Sequence, residues 1–551
     1  MISRDVYLIP VLNNTPRLLG LLNRNISSSN YGCFDREYWH YNTVDFANAR
    51  KQEAVLTLTL LYLIEHDKNR YYQSKEILGY IMAALIYWTK IQNKNGSFSE
   101  WYPSENSFVA TSFSSYAISE SLLLIKDVIR EEDYKRIIKS LKKAGDWLIS
   151  RDEVRVMNQQ TGAAAALLNI YLLTNDTRFL DASKEKISLL IRRQSPEGWF
   201  LEYGGPDIGY LSLAIDYLCK YYSKTNDGQV KEIIDRALSF IKYFIQPDLV
   251  AGGEYTSRNT EYLIPHGFEI SSKISENACL IASVVRKSLL KTDSFPSLFD
   301  DRYLTYVGYT WLQAYLDANS ELDETVEKNI SDHFSKPFRK YYNGSELLII
   351  NDNHKHLIVN MKKGASFRLF DKGIQRVYSD SGILIRADGK WYTSGWLAET
   401  QKKIEKDSVT VKGNLWKVPD KNLTPLSNIL LRLFQMTLGR SSFISLWIKE
   451  RLRDILITKT KPSNIRYNRN ILFKDDSGEL LKVADSVAAE EKSISAVSVF
   501  AKDTNIYVPS SRYYVDMKDA PFRKNFPDPV NKVEVEWKIR RDSGVVFVVN
   551  Q

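Results

Sequence analysis

A chain of 551 residues is longer than one ordinary hydrophobic core organises, so about two or three domains are expected. With 44% hydrophobic and 12% aromatic residues it is not a disordered chain, and a formal charge of +9 favours an acidic partner: an anionic polysaccharide, a nucleic acid or an anionic membrane surface. The basic residues are spread out and no nucleic-acid signature appears, so no nucleic acid is expected, and three scattered cysteines give neither a disulfide framework nor a metal cluster.

Residues 1–46 read as an irregular arm, because Asp5, Pro10, Asn13 and Asn14 interrupt its apolar residues. The same interruptions leave no signal-peptide core. The arm ends in GCFDREYWHYNTVDF, which crowds Arg36, Trp39 and His40 together. Aromatic packing that latches the arm onto the next domain explains this cluster, with substrate contact by Arg36 and Trp39 as the alternative. No stretch offers about 18 charge-free apolar residues, so a cytoplasmic protein is expected.

From 47 to 336, apolar residues recur at three- and four-residue steps, as in ARKQEAVLTLTLLYLIEH and VKEIIDRALSFIKYFI, and predict roughly ten to twelve helices. A punctuation repeats along them. Gln92-x-x-x-Gly96-x-Phe98 matches Gln194-x-x-x-Gly198-x-Phe200, and Gln246 is followed by Gly252 and Gly253. The intervals imply a helix–loop–helix unit of roughly 50 residues, with an unmarked copy at 149–158. Equivalent loops should share one rim, so 97–106, 157–161, 199–210 and 255–269 should face one cleft. These loops hold most of the chemistry-bearing residues: Trp101, Asn158, Gln159, Trp199, Glu202, Tyr203, Tyr210, Tyr255, Arg258, Asn259, Tyr262 and His266.

After 336 the pattern becomes short β-branched runs such as HLIVNMKK and KVEVEWKIRR, predicting an antiparallel β domain over 337–551. One block departs from it. Residues 427–459 read as a basic amphipathic helix, suited to peripheral contact with an anionic membrane or to packing on the neighbouring domains.

A helical ring, an Asn-bearing loop, a Gly-rich loop running into a Tyr-bearing helix, and a trailing β domain together resemble the heparinase II/III-like polysaccharide lyases and their alginate-lyase relatives. The resemblance implies a multidomain α-then-β chain: an incomplete (α/α) toroid followed by an antiparallel β-sandwich. It also implies cleavage of uronic-acid glycosides by β-elimination. That reaction needs a group to neutralise the carboxylate, a base for the weakly acidic C5 proton and an acid for the departing O4. By the resemblance, Asn158 takes the first role and Tyr210 serves as base, acid or both. Gln159 stands where the family commonly places His. Arg258 and His266 are the cations available to Tyr210, and His266 is a second candidate base. His354 or His356 would be the histidine that the β domain supplies. Gln159, Glu202, Tyr203, Tyr255, Asn259 and Tyr262 are candidate substrate contacts, and Trp101 and Trp199 candidate stacking platforms. No metal-binding spacing is present and no cofactor is expected.

Two rivals use the same toroid. A glycoside hydrolase would need two carboxylates from among Glu100, Glu105, Glu202, Asp207, Glu254 and Glu261. A non-catalytic protein of cell-surface polysaccharide assembly would bind an acidic glycan without cutting it. Terpene-cyclase toroids are set aside because no DxDD-like acid site appears.

Overall fold

The computed structural model describes residues 2–291, 300–321, 324–419, 424–441, 444, 447–448, 451, 461–473, 478–500, 521–541 and 544–550. Its helices are α1 (Asp5–Leu21), α2 (Arg36–Tyr41), α3 (Ala54–Leu63), α4 (Lys75–Lys90), α5 (Phe108–Ile125), α6 (Glu131–Ile149), α7 (Met157–Thr174), α8 (Thr177–Arg193), α9 (Ile208–Thr225), α10 (Gly228–Ile241), α11 (His266–Ser272), α12 (Glu276–Ser288), α13 (Asp301–Asp317), α14 (Glu324–Ser335) and α15 (Pro425–Met436).

The odd-numbered helices from α3 to α13 form an inner ring that returns on itself, since each packs on the next and α13 packs on α3. Their composition dictates this place: α3, α5 and α7 are apolar nearly all round and are buried along most of their length. In α7 the run Ala163–Ala166 lets its neighbours approach closely. Helices α6, α8 and α10 instead turn one apolar stripe inward and most of their Lys and Arg residues outward, Lys186 of α8 being buried beside Asp152. Helix α5 and its extension to Val128 are long and apolar enough to cross a bilayer, but 78% of the qualifying window is buried in the ring.

The repeated Gln–Gly punctuation has a physical meaning. Gln194 Nε2 donates to the carbonyls of Gly198 (2.9 Å) and Ile233 (2.8 Å), and Gln92 Nε2 donates to those of Gly96 and Ser140 (both 2.9 Å). Each glutamine thereby staples its loop to the next outer helix. Gly198 has φ +104°, and a Cβ there would stand 2.2 Å from the Arg236 carbonyl, so no other residue fits. The unmarked copy falls between the end of α6 at Ile149 and the start of α7 at Met157.

The strands form two antiparallel sheets. The smaller runs in chain order: β1 (Phe338–Tyr342), β2 (Leu347–Asn351), β3 (Lys355–Asn360), β4 (Ser366–Asp371) and β5 (Arg376–Asp380). The larger comprises β6 (Leu384–Ala387), β7 (Lys390–Thr393), β8 (Gln401–Ile404), β9 (Ser408–Lys417), β10 (Pro462–Leu472), β11 (Glu479–Ala488), β12 (Ile494–Val499), β13 (Phe522–Val530), β14 (Lys532–Arg540) and β15 (Gly544–Asn550). Its order is β13-β12-β6-β7-β9-β10-β11-β14-β15, with β8 on β9.

The small sheet is buried on both faces, which fixes its register. Leu348, Leu357, Val359 and Phe367 face the large sheet, where they meet Val411, Val483 and Trp537. Leu347, Ile349 and Ile358 face the ring and belong to its core. The small sheet is therefore the layer through which the β domain grips the toroid.

The amino-terminal segment differs from the expected irregular arm. Residues Asp5–Leu21 form a helix, despite Pro10 and Pro16 within it, and pack on α13. Tyr7, Leu8, Val11, Leu18 and Leu21 recur at helical spacing and are buried, and this burial outweighs the hydrogen bonds the prolines remove. Of the insert 427–459, the described part is α15, a short 3-10 turn at Leu438–Arg440 and residues 441, 444, 447, 448 and 451.

Candidate active site

The expected loops 97–106, 199–210 and 255–269 lie between an outer helix and the following inner one or run into its first turn, from α4 to α5, α8 to α9 and α10 to α11, whereas 157–161 is itself the first turn of α7 and the α6–α7 connection is 150–156. At the start of α7, Asn158 is buried and tied to Glu202. Its main-chain N–H donates to Oε1 at 2.8 Å and its side-chain Nδ2 to Oε2 at 2.7 Å. Burial and the nearby Asp207 hold the Glu202 carboxyl well above the usual range.

Tyr210 lies in the first turn of α9, which Asp207 caps by accepting its N–H at 3.1 Å. The same carboxylate gathers the next loop, accepting from Thr256 Oγ1 at 2.8 Å, from the Arg258 main-chain N–H at 3.0 Å and from Thr260 Oγ1. This brings the Arg258 guanidinium near the Tyr210 hydroxyl, on which it acts electrostatically, and 4.7 Å from the centroid of the Tyr203 ring. Burial raises the Tyr210 pKa while Arg258 opposes the rise. The Arg258 Nε–H is buried and has no acceptor in the protein. Glu202 contributes to the field on Tyr210 and Tyr203, so Asn158, Glu202, Tyr203, Tyr210 and Arg258 share one neighbourhood.

The Arg258 loop is also held from the β domain. Lys363 Nζ donates to the carbonyls of Glu254 (2.7 Å) and Thr256 (2.6 Å) and to Asn259 Oδ1, and Asn360 Nδ2 donates to the Tyr255 carbonyl at 2.6 Å. Burial pushes the Lys363 amine down to about 7. Arg368 pairs with Glu261 and reaches Asp248 at 3.4 Å. Gly252 closes the loop with φ +89°, and a Cβ there would stand 1.9 Å from the Thr260 carbonyl oxygen. Gly252→Ala is therefore expected to cost at least about 1 kcal/mol and to displace Arg258, read as a lower thermal midpoint together with weaker glycan binding.

Beside this group lies a cavity of about 910 Å³, lined by Phe46, Asn48, Lys51, Glu100, Trp101 and Arg302 among others. Trp101 is 39% exposed there. Glu100, which lines the cavity, acts electrostatically on both Arg302 and Tyr203. The Arg50 guanidinium sits 3.9 Å from the Tyr306 ring centroid and pairs with Glu53 at 2.7 Å. Sequence reasoning missed Arg50, Arg302, Tyr306 and Lys363, which fall outside the repeated loops. Asp207 was weighed only as a hydrolase carboxylate, although Asp before an apolar run signals its capping role.

Other candidates take different places. His266 opens α11, with Nε2 2.7 Å from Asp317 and Nδ1 3.3 Å from Asp216, and no described hydrogen bond joins it to Asn158, Tyr210 or Arg258. Burial alone would lower its pKa, but the two carboxylates hold it above 6.5. Its folded value exceeds its unfolded one, so its stabilisation is full below about 6.5 and fades as pH rises through the raised value. His266→Gln should accordingly cost most near pH 5 and less above neutrality in thermal unfolding scans.

His356 is buried within β3 beside Asn351 and Phe338, and burial pushes its pKa down to about 3, so it is a neutral core residue with no described bond to Asn158, Tyr210 or Arg258. His354 is exposed at the edge of the small sheet. Tyr255 is fully buried, stacked on Phe244 and accepting the Gly252 N–H, and Tyr262 packs edge-on to Tyr303. Trp199 bonds Glu197, which also receives the β1–β2 turn at Gly344 and Ser345, so it belongs to the domain contact. Trp39 donates to the Leu21 carbonyl at 2.9 Å and latches the chain beside Cys33 and Tyr87, while Arg36 is exposed at the start of α2. Gln159 is buried at the start of α7, and Asn259 (φ +57°) braces the loop through Lys363.

Residues 36–262 match the family model of the ulvan lyase N-terminal domain. No curated protein matches the sequence. Among solved structures, the chondroitin AC lyase of Streptomyces coelicolor A3, in complex with chondroitin sulphate, overlaps with a TM-score of 0.54 at 9% identity, covering 89% of this chain and 67% of that one. The heparan sulfate lyase HepC of Pedobacter heparinus, a mutant form, overlaps more loosely, with a TM-score of 0.38 at 10% identity over 82% of this chain and 63% of that one. The helical ring closed by an antiparallel β domain is thus the fold seen in that chondroitin AC lyase, and residues 36–262 resemble the N-terminal domain of the ulvan lyases.

Proposed function

We propose that the chain cleaves an acidic, uronic-acid-containing glycan by β-elimination at the Asn158–Tyr210–Arg258 neighbourhood. The single observation that supports this reading is the placement of the Arg258 guanidinium close enough to the Tyr210 hydroxyl to act on it electrostatically. A phenol with an ordinary pKa of about 10 serves as a base near neutral pH only beside a cation. Arg258 supplies that cation, opposing the burial that on balance raises the Tyr210 pKa, and its positive charge would attract the uronate carboxylate. Asn158, oriented by Glu202, supplies a further polar group for the same carboxylate.

In the step itself, the Tyr210 phenolate takes the C5 proton as the C4–C5 double bond forms and the C4–O4 bond breaks. Tyr210 then returns that proton to O4, so the phenolate is regenerated and no second base is needed. With His266 engaged elsewhere, one side chain handles both transfers, which requires the C5 proton and the C4 oxygen on the same face of the sugar. Trp101 and the adjoining cavity would hold a neighbouring sugar ring of the polymer.

The hydrolase alternative is weakened by the state of its carboxylates. Five of its six candidates, Glu105, Glu202, Asp207, Glu254 and Glu261, are buried, which leaves no accessible carboxylate among the five to act with Glu100 of the cavity lining. Glu105 accepts two main-chain N–H groups at 2.6 Å, Glu202 holds Asn158, and Asp207 organises the Arg258 loop. The deciding experiment incubates the protein with a panel of acidic polysaccharides. Products absorbing as conjugated alkenes support elimination, whereas new reducing ends without that absorbance support hydrolysis and defeat the proposal.

A further inference from the structure

The most unusual surface of the molecule is α15. Its start is fixed by a capping box between Thr424 and Ser427, and one flank is anchored by Arg432, which bonds both oxygens of Asp45 at 2.7 and 2.8 Å, and by the buried Gln435. Leu426, Ile429, Leu430, Leu433 and Met436 recur at three- and four-residue steps on the opposite face, and all five are 54–67% exposed. Leu438 and Trp447 nearby are 61% and 53% exposed. The helix therefore lies on the protein with its apolar stripe outward, the reverse of a helix that packs on its own core.

The sequence around the stripe is net basic, since residues 424–451 carry Arg432, Arg440, Lys449 and Arg451 against Glu450. Residues 424–441 contain no Asp or Glu, and they carry Arg432 and Arg440. Arg451 stands with its guanidinium 5.4 Å from the Trp447 ring centroid. Long aliphatic side chains with a tryptophan and flanking arginines suit the headgroup boundary of an anionic bilayer. A second copy of the chain fits less well. A helix of 12 residues is about 18 Å long and 10 Å wide, well short of the roughly 800 Å² per partner that a stable protein interface uses.

We propose that α15 docks the protein peripherally on an anionic phospholipid surface by burying Leu426, Ile429, Leu430, Leu433 and Met436 among the acyl chains. The inference does not depend on the lyase reading. It has a geometric consequence for the cleft. Asp45, to which the helix is tied, stands between Val44 and Phe46, both of which line the 910 Å³ cavity. Docking thus brings the loop 44–46, which lines the cavity, to within roughly one helix diameter of the membrane surface.

The test is co-sedimentation of the full chain with phosphatidylcholine vesicles, with and without phosphatidylglycerol. The protein is expected to pellet with the mixed vesicles and to stay in solution with pure phosphatidylcholine. Leu430→Asp combined with Leu433→Asp is expected to weaken that partitioning by roughly a hundredfold. Its circular dichroism and thermal midpoint should be unchanged, because both side chains already face water. Wild-type protein that ignores the mixed vesicles, or a double variant that binds them equally well, overturns the proposal. So does a concentration-dependent dimer dispersed by the double substitution, which would assign the stripe to a second copy.

Discussion

Replacing Tyr210 with phenylalanine is expected to lower turnover of an acidic glycan by a factor of roughly 10² to 10⁴ while leaving its binding nearly intact. The substitution removes one hydroxyl and keeps the ring that lies 6.5 Å from Tyr203, so the α9 cap and the Arg258 loop stay in place. What disappears is the group that shuttles the proton from C5 to O4. Binding measured by calorimetry and alkene formation followed spectroscopically separate the two effects. A variant that turns over normally removes Tyr210 from the chemistry. A wild type that binds without turnover, and a variant that does the same, would leave a glycan-binding protein in place of an enzyme.

The second large effect lies in the β domain. Arg469 on β10 is fully buried and bonds Asp485 of β11 through Nε (2.7 Å) and Nη2 (2.9 Å), and Asp380 of the small sheet through Nη1. It therefore ties the two sheets together through their core. Arg469→Met leaves two carboxylates buried without their cation, which costs about 3–5 kcal/mol. For a domain of this size that is a fall of roughly 10 °C in the unfolding midpoint. Adding Asp380→Asn and Asp485→Asn removes the stranded charges and should recover most of the loss. No recovery in the triple variant would mean that the guanidinium contributes through packing rather than charge.

Much of the architecture was legible because it is local. The change from helical to alternating periodicity near residue 336 is a property of neighbouring side chains, and so is the Gln–Gly punctuation that places four loops on one rim. Asn158 and Tyr210 are singled out by the resemblance to the lyase family and Arg258 as a cation on the next loop, and the fold brings these three into one neighbourhood. What escaped depends on contacts distant in the chain. His266 sits in a loop of the right kind, yet Asp216 and Asp317 draw it away from Tyr210, and neither partner announces itself by spacing. Lys363 carries no motif, and its role appears only when the small sheet lies against the ring. In α1, the prolines gave a stronger local signal than the apolar spacing that burial rewards. The outward stripe of α15 is a further case, since amphipathic spacing reports that a helix has two faces but not which one meets the protein.

Lys363 and Asn360 imply something about how such a chain can be divided. The loop that presents Arg258 is spelled by the front half of the sequence but held in shape by the rear half. A fragment ending at residue 336 would keep every ring helix and every residue assigned to the cleft, and would still lose the grip that aims the guanidinium. The two halves are thus one machine with a seam running through its working part, and a shuffled rear half could restore solubility without restoring aim.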